Sequence, residues 1–414
     1  MSKLCAYPWV HLSNVTNGMV QPCCQYTGFV NKDNGQPFYL QKDSVEDIYT
    51  STYFKNLRQE FREGKKPKGC INCWNNEEDG IVSKRQMYSN RLEQIGVEVD
   101  YNSEPNYPKE YQLVLNNSCN LKCRMCNPEY SSSWMKEVNL YTADELSKVG
   151  KSMLKLPNGQ VSSKNSIFLK DIEKWSPYLV ALEALGGEPL YSNAWYKLID
   201  YLIENNYSKN ITLSIVTNGT IFDRKFIKKL LTNFKYVSIA LSIDGMDKMF
   251  EYLRSNGNWD EVSKNIEGYQ DLLLNEEIKN FNLHFTYSVT WFNALQIGDF
   301  LDYIRSKTPK ASVWLNVVRG PKSLTLESAP HRLKPFIEES LINVSKNYSH
   351  HKADALGLIN FMYGNTRSKK TLQEYKVVTT ILDKYRDVNI QEVLEYISST
   401  KNIDVTQMYK ESYE

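Results

Sequence analysis

The spacing of apolar positions changes character at Tyr111. From there on, short β-type runs alternate with longer stretches of helical period. The runs are Tyr111–Leu115, Leu179–Leu185, Ile211–Thr217, Val237–Ile243, Leu283–Val289 and Val313–Val318. Strands alternating with helices imply parallel pairing through right-handed crossovers. Six such units predict an α/β fold, a partial (βα)6 barrel rather than a closed eightfold one. Beyond Pro330 the pattern turns helical. Leu372, Tyr375, Val378, Leu382 and Tyr385 share one apolar face, and Asn389 with Glu392 resembles a capping box.

Before Tyr111 the elements are shorter. Cys5 to Leu12 reads as a strand or turn entering an apolar patch, and Asn17-Gly18 as a hairpin-type turn. Phe54, Leu57 and Phe61 lie on one helical face, with Gly64 where a C-terminal cap belongs. The stretch 80–110 is polar and broken by Pro105 and Pro108, which places a boundary there. The expected division is 1–105, a small cysteine-rich domain; 106–330, the partial barrel; and 331–414, a helical extension. A long insertion, about Ser131 to Tyr178 with a turn at Pro157-Asn158-Gly159, reads as a pocket wall or lid.

Composition narrows the partners. A net charge of +2 gives no general attraction to nucleic acid or membrane. The run Arg62 to Lys68 is a short solvated basic loop. No apolar segment approaches transmembrane length, and the N-terminus lacks a signal-peptide core. Eight cysteines in metal-type groups, without a secretion signal, point to a reducing cytoplasm.

Those groups carry the chemistry. Cys119, Cys123 and Cys126 form C-x3-C-x2-C directly after the first core run. Three thiolates so spaced suit an iron–sulfur cubane with one iron left open, whereas a closed zinc site wants a fourth N or S donor. Cys5, one of Cys23 and Cys24, Cys70 and Cys73 make a second, complete four-thiolate set. Taken alone, that set reads as structural zinc. His11 and Trp74 beside it read as packing residues, and His284 as a core histidine. The second run ends in Gly186-Gly187-Glu188-Pro189, the third in Thr217-Asn218-Gly219-Thr220 and the fourth in Ser242-Ile243-Asp244-Gly245. All three sit at C-terminal strand ends, where an α/β barrel does its work. Each is also an ordinary strand-to-helix turn.

The C-x3-C-x2-C loop, with Gly-Gly-Glu correctly placed after the second strand, resembles the radical S-adenosylmethionine (SAM) superfamily. The resemblance implies a site-differentiated [4Fe–4S] cluster on Cys119, Cys123 and Cys126. SAM chelates its open iron, and an electron from the cluster splits SAM to a 5′-deoxyadenosyl radical. It implies that Gly186, Gly187 and Glu188 meet the SAM amino group, and that Asn218, Ser242 and Asp244 lie near its ribose and carboxylate. Met125 fills the apolar place beside adenine, where the family usually has an aromatic residue. Arg254 resembles a basic residue directed at the SAM carboxylate; a surface ion pair is the other reading. Asn293 and Asn316 are placed on the substrate side by position alone.

Cys5-x12-Gly18-x4-Cys23 followed by C-x2-C is similar to the twitch and SPASM auxiliary-cluster domains of the same superfamily. It implies one auxiliary [4Fe–4S] cluster on Cys5, Cys23, Cys70 and Cys73, with Cys24 left to packing or support. In the family this module follows the barrel; here it precedes it. An electron-accepting auxiliary cluster implies an oxidoreductase, performing a net oxidation of a small carbohydrate- or nucleotide-like molecule. A peptide-modifying maturase and a non-catalytic zinc scaffold are the alternatives. The expected partners are a small-molecule or peptide substrate and a low-potential donor such as flavodoxin or ferredoxin, with no membrane and no nucleic acid.

Overall fold

The computed structural model describes residues 4–78, 82–95, 97–149, 154, 160–275, 277–364 and 369–411. The expected turn at Pro157-Asn158-Gly159 lies outside them, as do the side chains of Leu372 and Tyr375. The protein is α/β, with strands that pair mostly in parallel. Its strands are β1 (His11–Asn14), β2 (Val20–Gln21), β3 (Glu110–Val114), β4 (Lys122–Cys123), β5 (Ala181–Leu185), β6 (Thr212–Thr217), β7 (Tyr236–Ser242), β8 (Arg254–Ser255), β9 (Phe281–Val289) and β10 (Ser312–Val317). All six expected core runs are strands, displaced by no more than two residues at either end.

Chain contacts define two compact units. The first comprises Met1–Ser118, Pro157–Val216 and Lys225–Ser238; the second comprises Cys119–Leu156, Thr217–Arg224 and Ile239–Glu414.

In the first unit β1, β3, β5 and β6 are parallel neighbours, and β2 returns antiparallel along β1. Register aligns Leu12, Tyr111, Leu182 and Leu213 in one row and Ser13, Gln112, Glu183 and Ser214 in the next. Successive strand residues face opposite sides of a sheet, so the apolar row has one face and the polar row the other. Tyr111, fully buried, packs on Phe168 and Trp175. On the polar face Gln112 Nε2 donates to Glu183 Oε2 at 2.7 Å. The N-terminal segment thus extends the sheet through β1, and its hairpin turns at Gly18, whose φ of 84° is left-handed.

Helix α1 (Thr52–Arg62) carries the expected face. Ser51 caps it, Phe54, Leu57 and Phe61 are buried, and Gly64 at φ 68° ends it. Arg58, on the same helix, is fully buried and donates to Pro8 O and Tyr49 O, tying α1 to the segment that begins at Cys5.

In the second unit β9 and β10 pair in parallel from Ser312↔His284 to Val317↔Val289, while β4 and β8 form a separate antiparallel ribbon. Helices α2 (Ser132–Val138) and α3 (Ala143–Val149) pack with α4 (Lys369–Arg386) in one apolar cluster. It contains Trp134, Val138, Tyr141, Val149, Ile381 and Leu382, with Cys126 against it. Helix α5 (Ile390–Lys401) follows, with the Asn389 side chain accepting from Gln391 N. Trp134 is fully buried in the second unit, and Phe168 and Trp175 are fully buried in the first. No helix among the described residues is long and apolar enough to cross a membrane.

Candidate functional site

Within the second unit the three-cysteine loop is pinned along its whole length. The Leu121 carbonyl accepts from Ser131 Oγ, and the Cys119 carbonyl accepts from the hydroxyls of Ser132 and Ser133. Asn120 Oδ1 accepts from Asn218 Nδ2 at 3.0 Å, while Asn120 Nδ2 donates to Thr220 Oγ1. Asn218, expected near the SAM ribose, is thus also a brace for the loop. Arg124 N donates to Leu253 O, continuing the β4–β8 ribbon in which Cys123 stands opposite Arg254.

That ribbon sets the electrostatics. Arg254 Nη1 lies 3.8 Å from the Cys123 sulfur, and its Nη2 is 2.6 Å from Asp244 Oδ2. The Asp244 side chain is wholly buried, and its other oxygen accepts from Ser288 N at 2.7 Å. The expected choice for Arg254 between ligand contact and surface ion pair therefore has a third answer, a buried pair at the edge of the cysteine loop. Burial raises the Cys123 thiol, and Arg254 opposes that. Burial pushes Cys126 up to about 12, with Cys123 and Cys119 adding to the shift. Cys126 therefore lies within electrostatic reach of both other thiols.

Ser242 accepts from Thr286 Oγ1 at 3.1 Å, at the end of β7. Asn293, placed on the substrate side by position, is fully buried instead; it donates to Asp244 O and Ser288 O and holds the turn after β9. Asn316 is exposed on β10 and Met125 half-buried in the loop. His284 is buried against Trp314 with ring centres 4.2 Å apart, as a core histidine should be.

In the first unit the two glycines answer to their own backbone. A Cβ on Gly187 would stand 2.3 Å from Ser118 O, and one on Gly186 2.8 Å from Asn116 O. Glu188 N donates to Ser118 O, and buried Glu188 turns Oε1 back to accept from Leu190 N. The close approach that requires glycine is thus made by Asn116–Ser118, the residues leading directly into Cys119.

The N-terminal cysteines also converge. Cys5 and Cys23 belong to one buried cluster, with Cys70 packed against it. Burial raises Cys5, which also feels Cys70 and Cys73; Cys23, raised by burial, feels Cys24, Cys5 and Cys73. Cys24 is exposed and so has no packing role. His11 Nδ1 meets Pro22 O at 2.9 Å and its ring sits edge-on to Tyr7, while Trp74 lies under Arg85. Both are packing residues.

All eight cysteines are free thiols. Among the described residues no group of three or more His, Cys, Asp or Glu side chains is placed so that it could hold a metal ion. The donor chemistry nonetheless fits an anionic iron–sulfur group: three soft sulfur donors stand in one loop, with a guanidinium beside the middle one.

The sequence reading missed how basic residues hold this loop. Arg124 pairs with Asp383, and Lys122 with Glu137 at 2.7 Å. Asp383 is 259 positions away along the chain, so no local motif announces the pair.

Residues 113–285 match the model of the Radical SAM superfamily. The chain is 29% identical over 256 residues to the radical SAM cyclopropyl synthase TigE of Paramaledivibacter caminithermalis, a match covering 59% of this chain and 48% of that protein. It is 25% identical over 182 residues to a GTP 3',8-cyclase of Aliarcobacter butzleri, covering 44% and 45%. The chain spans about half the length of these curated relatives. Among solved structures it is similar to native anSMEcpe with bound AdoMet, at 19% identity and a TM-score of 0.37 over 65% of this chain and 66% of that one. It is also similar to Streptococcus suis SuiB bound to S-adenosylmethionine, at 16% identity and a TM-score of 0.32 over 76% and 66%. Residues 113–285 are thus the part of the chain that is similar to the radical SAM superfamily.

Proposed function

We propose that this protein is a radical SAM enzyme whose cluster is held by Cys119, Cys123 and Cys126. The observation that carries the reading is the braced loop of three cysteines, with Arg254 beside the Cys123 sulfur, lying inside the segment that matches the superfamily model. When bound, the cluster supplies the electron that divides SAM into methionine and a 5′-deoxyadenosyl radical, which abstracts hydrogen from substrate.

The chain's own residues supply position and charge. Ser131, Ser132 and Ser133 fix the loop's carbonyls, Asn120 and Asn218 brace its base, and Arg254 keeps positive charge beside the Cys123 sulfur. Gly186, Gly187 and Glu188 are assigned to the SAM amino group, Asn218, Ser242 and Asp244 to its polar groups, and Met125 to the adenine, all on family resemblance.

Cys5, Cys23, Cys70 and Cys73 hold an auxiliary [4Fe–4S] cluster in this reading, and a net oxidation follows if it accepts the substrate's electron. A small nucleotide- or carbohydrate-like substrate is favoured; a curated relative is, by its name, a GTP 3',8-cyclase. A low-potential flavodoxin or ferredoxin would supply electrons, and the cytoplasm is the compartment in which such thiols stay reduced.

The test is anaerobic reconstitution with iron and sulfide, then a dithionite-driven SAM cleavage assay. The wild-type chain should carry about eight irons, four per cluster, and form 5′-deoxyadenosine. Cys123→Ala should lose cleavage and keep the N-terminal metal. Cleavage retained in that variant would remove the catalytic assignment. Zinc without iron would leave the metal-stabilised scaffold as the reading.

A further inference from the structure

The ribbon alternation around Cys123 has a consequence for the C-terminal helix. In an extended strand successive side chains face opposite sides. Cys123 lies on the side of Arg254, so Lys122, paired with Ser255, faces the other way, and Arg124 follows in the turn after the ribbon. Both are basic, and both meet acceptors that α4 supplies or holds.

Arg124 is 3% exposed. Its guanidinium stacks over the Tyr252 ring at 3.7 Å, its Nε donates to Tyr252 O at 3.0 Å, and its Nη2 pairs with Asp383 of α4. Lys122 Nζ pairs with Glu137 of α2, a carboxylate whose side chain is 2% exposed. The same carboxylate takes Arg386 Nε on both oxygens at 3.2 Å, and Tyr141 at 2.6 Å. Arg386 lies three residues after Asp383, hence on the same face of α4. Its guanidinium covers the Trp134 ring at 4.6 Å, and its Nη1 reaches Ser255, which stands opposite Lys122 in the ribbon.

The apolar half of the contact repeats the pattern. Ile381 and Leu382 pack with Trp134 and Val138, and Cys126 lies against that cluster. Helix α4 thus touches the loop through Arg124, through Glu137 to Lys122, and through the cluster beneath Cys126. Asp383 is fixed from its other side as well, since its Oδ2 accepts from Ile390 N at the start of α5.

We propose that α4 is a clamp on the three-cysteine loop. Asp383 and Arg386 are positioning residues that hold the basic flanks of Cys123 and so aim its thiolate. The clamp concerns the same site as the proposed function and rests on that reading only where a cluster is involved. Buried ion pairs are costly to break from one side, because the remaining charge stays buried. The network therefore holds one arrangement rather than several.

The network is also unequal in charge. Lys122, Arg124 and Arg386 stand against Glu137 and Asp383, three cations to two carboxylates. Arg386 Nη2 has no hydrogen-bond partner among the described residues. The unmatched positive charge lies behind the cysteines, where it favours the more negative, reduced form of a bound cluster.

The first measurement is amide hydrogen exchange on the metal-free full-length chain, comparing wild type with Asp383→Asn. Asparagine keeps an acceptor for Ile390 N while removing the charge that Arg124 meets. Amides of residues 122–127 should exchange about tenfold faster in the variant. The helix Ile297–Lys307 of the same unit should not change, which separates a released loop from a misfolded chain. Loop exchange equal to wild type would overturn the clamp. Arg386→Gln, reconstituted anaerobically, should lower the midpoint potential of the cluster whose EPR signal shifts on adding SAM, and an unchanged potential would overturn the charge argument. If wild type takes up no iron on Cys119, Cys123 and Cys126, the cluster reading and the charge argument fall together; the exchange result still decides whether α4 holds the loop.

Discussion

Arg254 stands between Cys123 and Asp244, with Nη1 3.8 Å from the sulfur and Nη2 2.6 Å from the carboxylate. The contact joins a metal-ligand candidate to a carboxylate that has no access to water. Removing the guanidinium would leave the Asp244 charge buried and unpaired, which typically costs about 3–5 kcal/mol. Arg254→Met should lower unfolding stability on that scale in urea titration of the metal-free chain. Adding Asp244→Asn should recover part of the loss. A single variant as stable as wild type would show that the pair is not structural.

Gly187 faces backbone on every close side. Its added Cβ would lie 2.3 Å from Ser118 O and 2.7 Å from Asn117 O, and neither atom can rotate away. Gly187→Ala should therefore cost about 1–3 kcal/mol by overpacking and shift the Asn116–Ser118 segment that enters Cys119. Gly298, in the helix Ile297–Lys307, is the control, because a Cβ added there would meet nothing within 4 Å. Gly298→Ala should be neutral or stabilising by up to about 1 kcal/mol. Thermal melts of the two variants check the contrast; equal melting temperatures would contradict it.

The exposure difference between two adjacent cysteines gives a third test. Cys23 is buried among the N-terminal thiols and Cys24 is exposed. Cys24→Ser should leave the metal content of the N-terminal set unchanged, and Cys23→Ser should remove it. Iodoacetamide on the native chain should modify Cys24 first, as peptide mass mapping would read. Metal lost in the Cys24 variant instead would reverse the assignment made from the Gly-x4-Cys spacing.

Much of this was readable in the sequence, for physical reasons that differ by element. The core strands announce themselves because rows such as Leu12, Tyr111, Leu182 and Leu213 must be apolar to be buried, and period carries that demand. The C-terminal cap of α1 is equally local, since Gly64 is needed where φ is positive. The cysteine loop is legible because ligand spacing is local too. What holds the loop is not local. Arg124 looks like any charged residue until Asp383 is found beside it, and Asp383 looks like a helix-surface acid until its contacts with Arg124 and Ile390 N are seen. The reason for Gly186 and Gly187 was half-visible: close approach was expected, but the approaching partner is Asn116–Ser118. Asn293 misled by position, because a polar residue after a strand can satisfy the turn itself.

Two buried histidines make stability fall with acid. Burial lowers His284 to about 4 and His11 to about 3 from an ordinary 6.5. Above pH 6.5 both are neutral in the folded and unfolded chain alike, and neither contributes a slope. As pH falls below 6.5 the unfolded chain takes protons that the folded chain refuses. Stability is therefore lost from 6.5 down to about 4 for His284 and to about 3 for His11. The His284 share is up to about 3 kcal/mol, at 1.36 kcal/mol per unit. His284→Gln should remove about half of the histidine slope in the curve of urea midpoint against pH between 4 and 6.5, leaving the His11 share, which continues down to about 3. Midpoints measured on the metal-free chain at several pH values decide it. A wild-type curve flat across that window, or a variant curve parallel to it, would show that His284 is protonated in the folded protein and that its place against Trp314 does not exclude the charge.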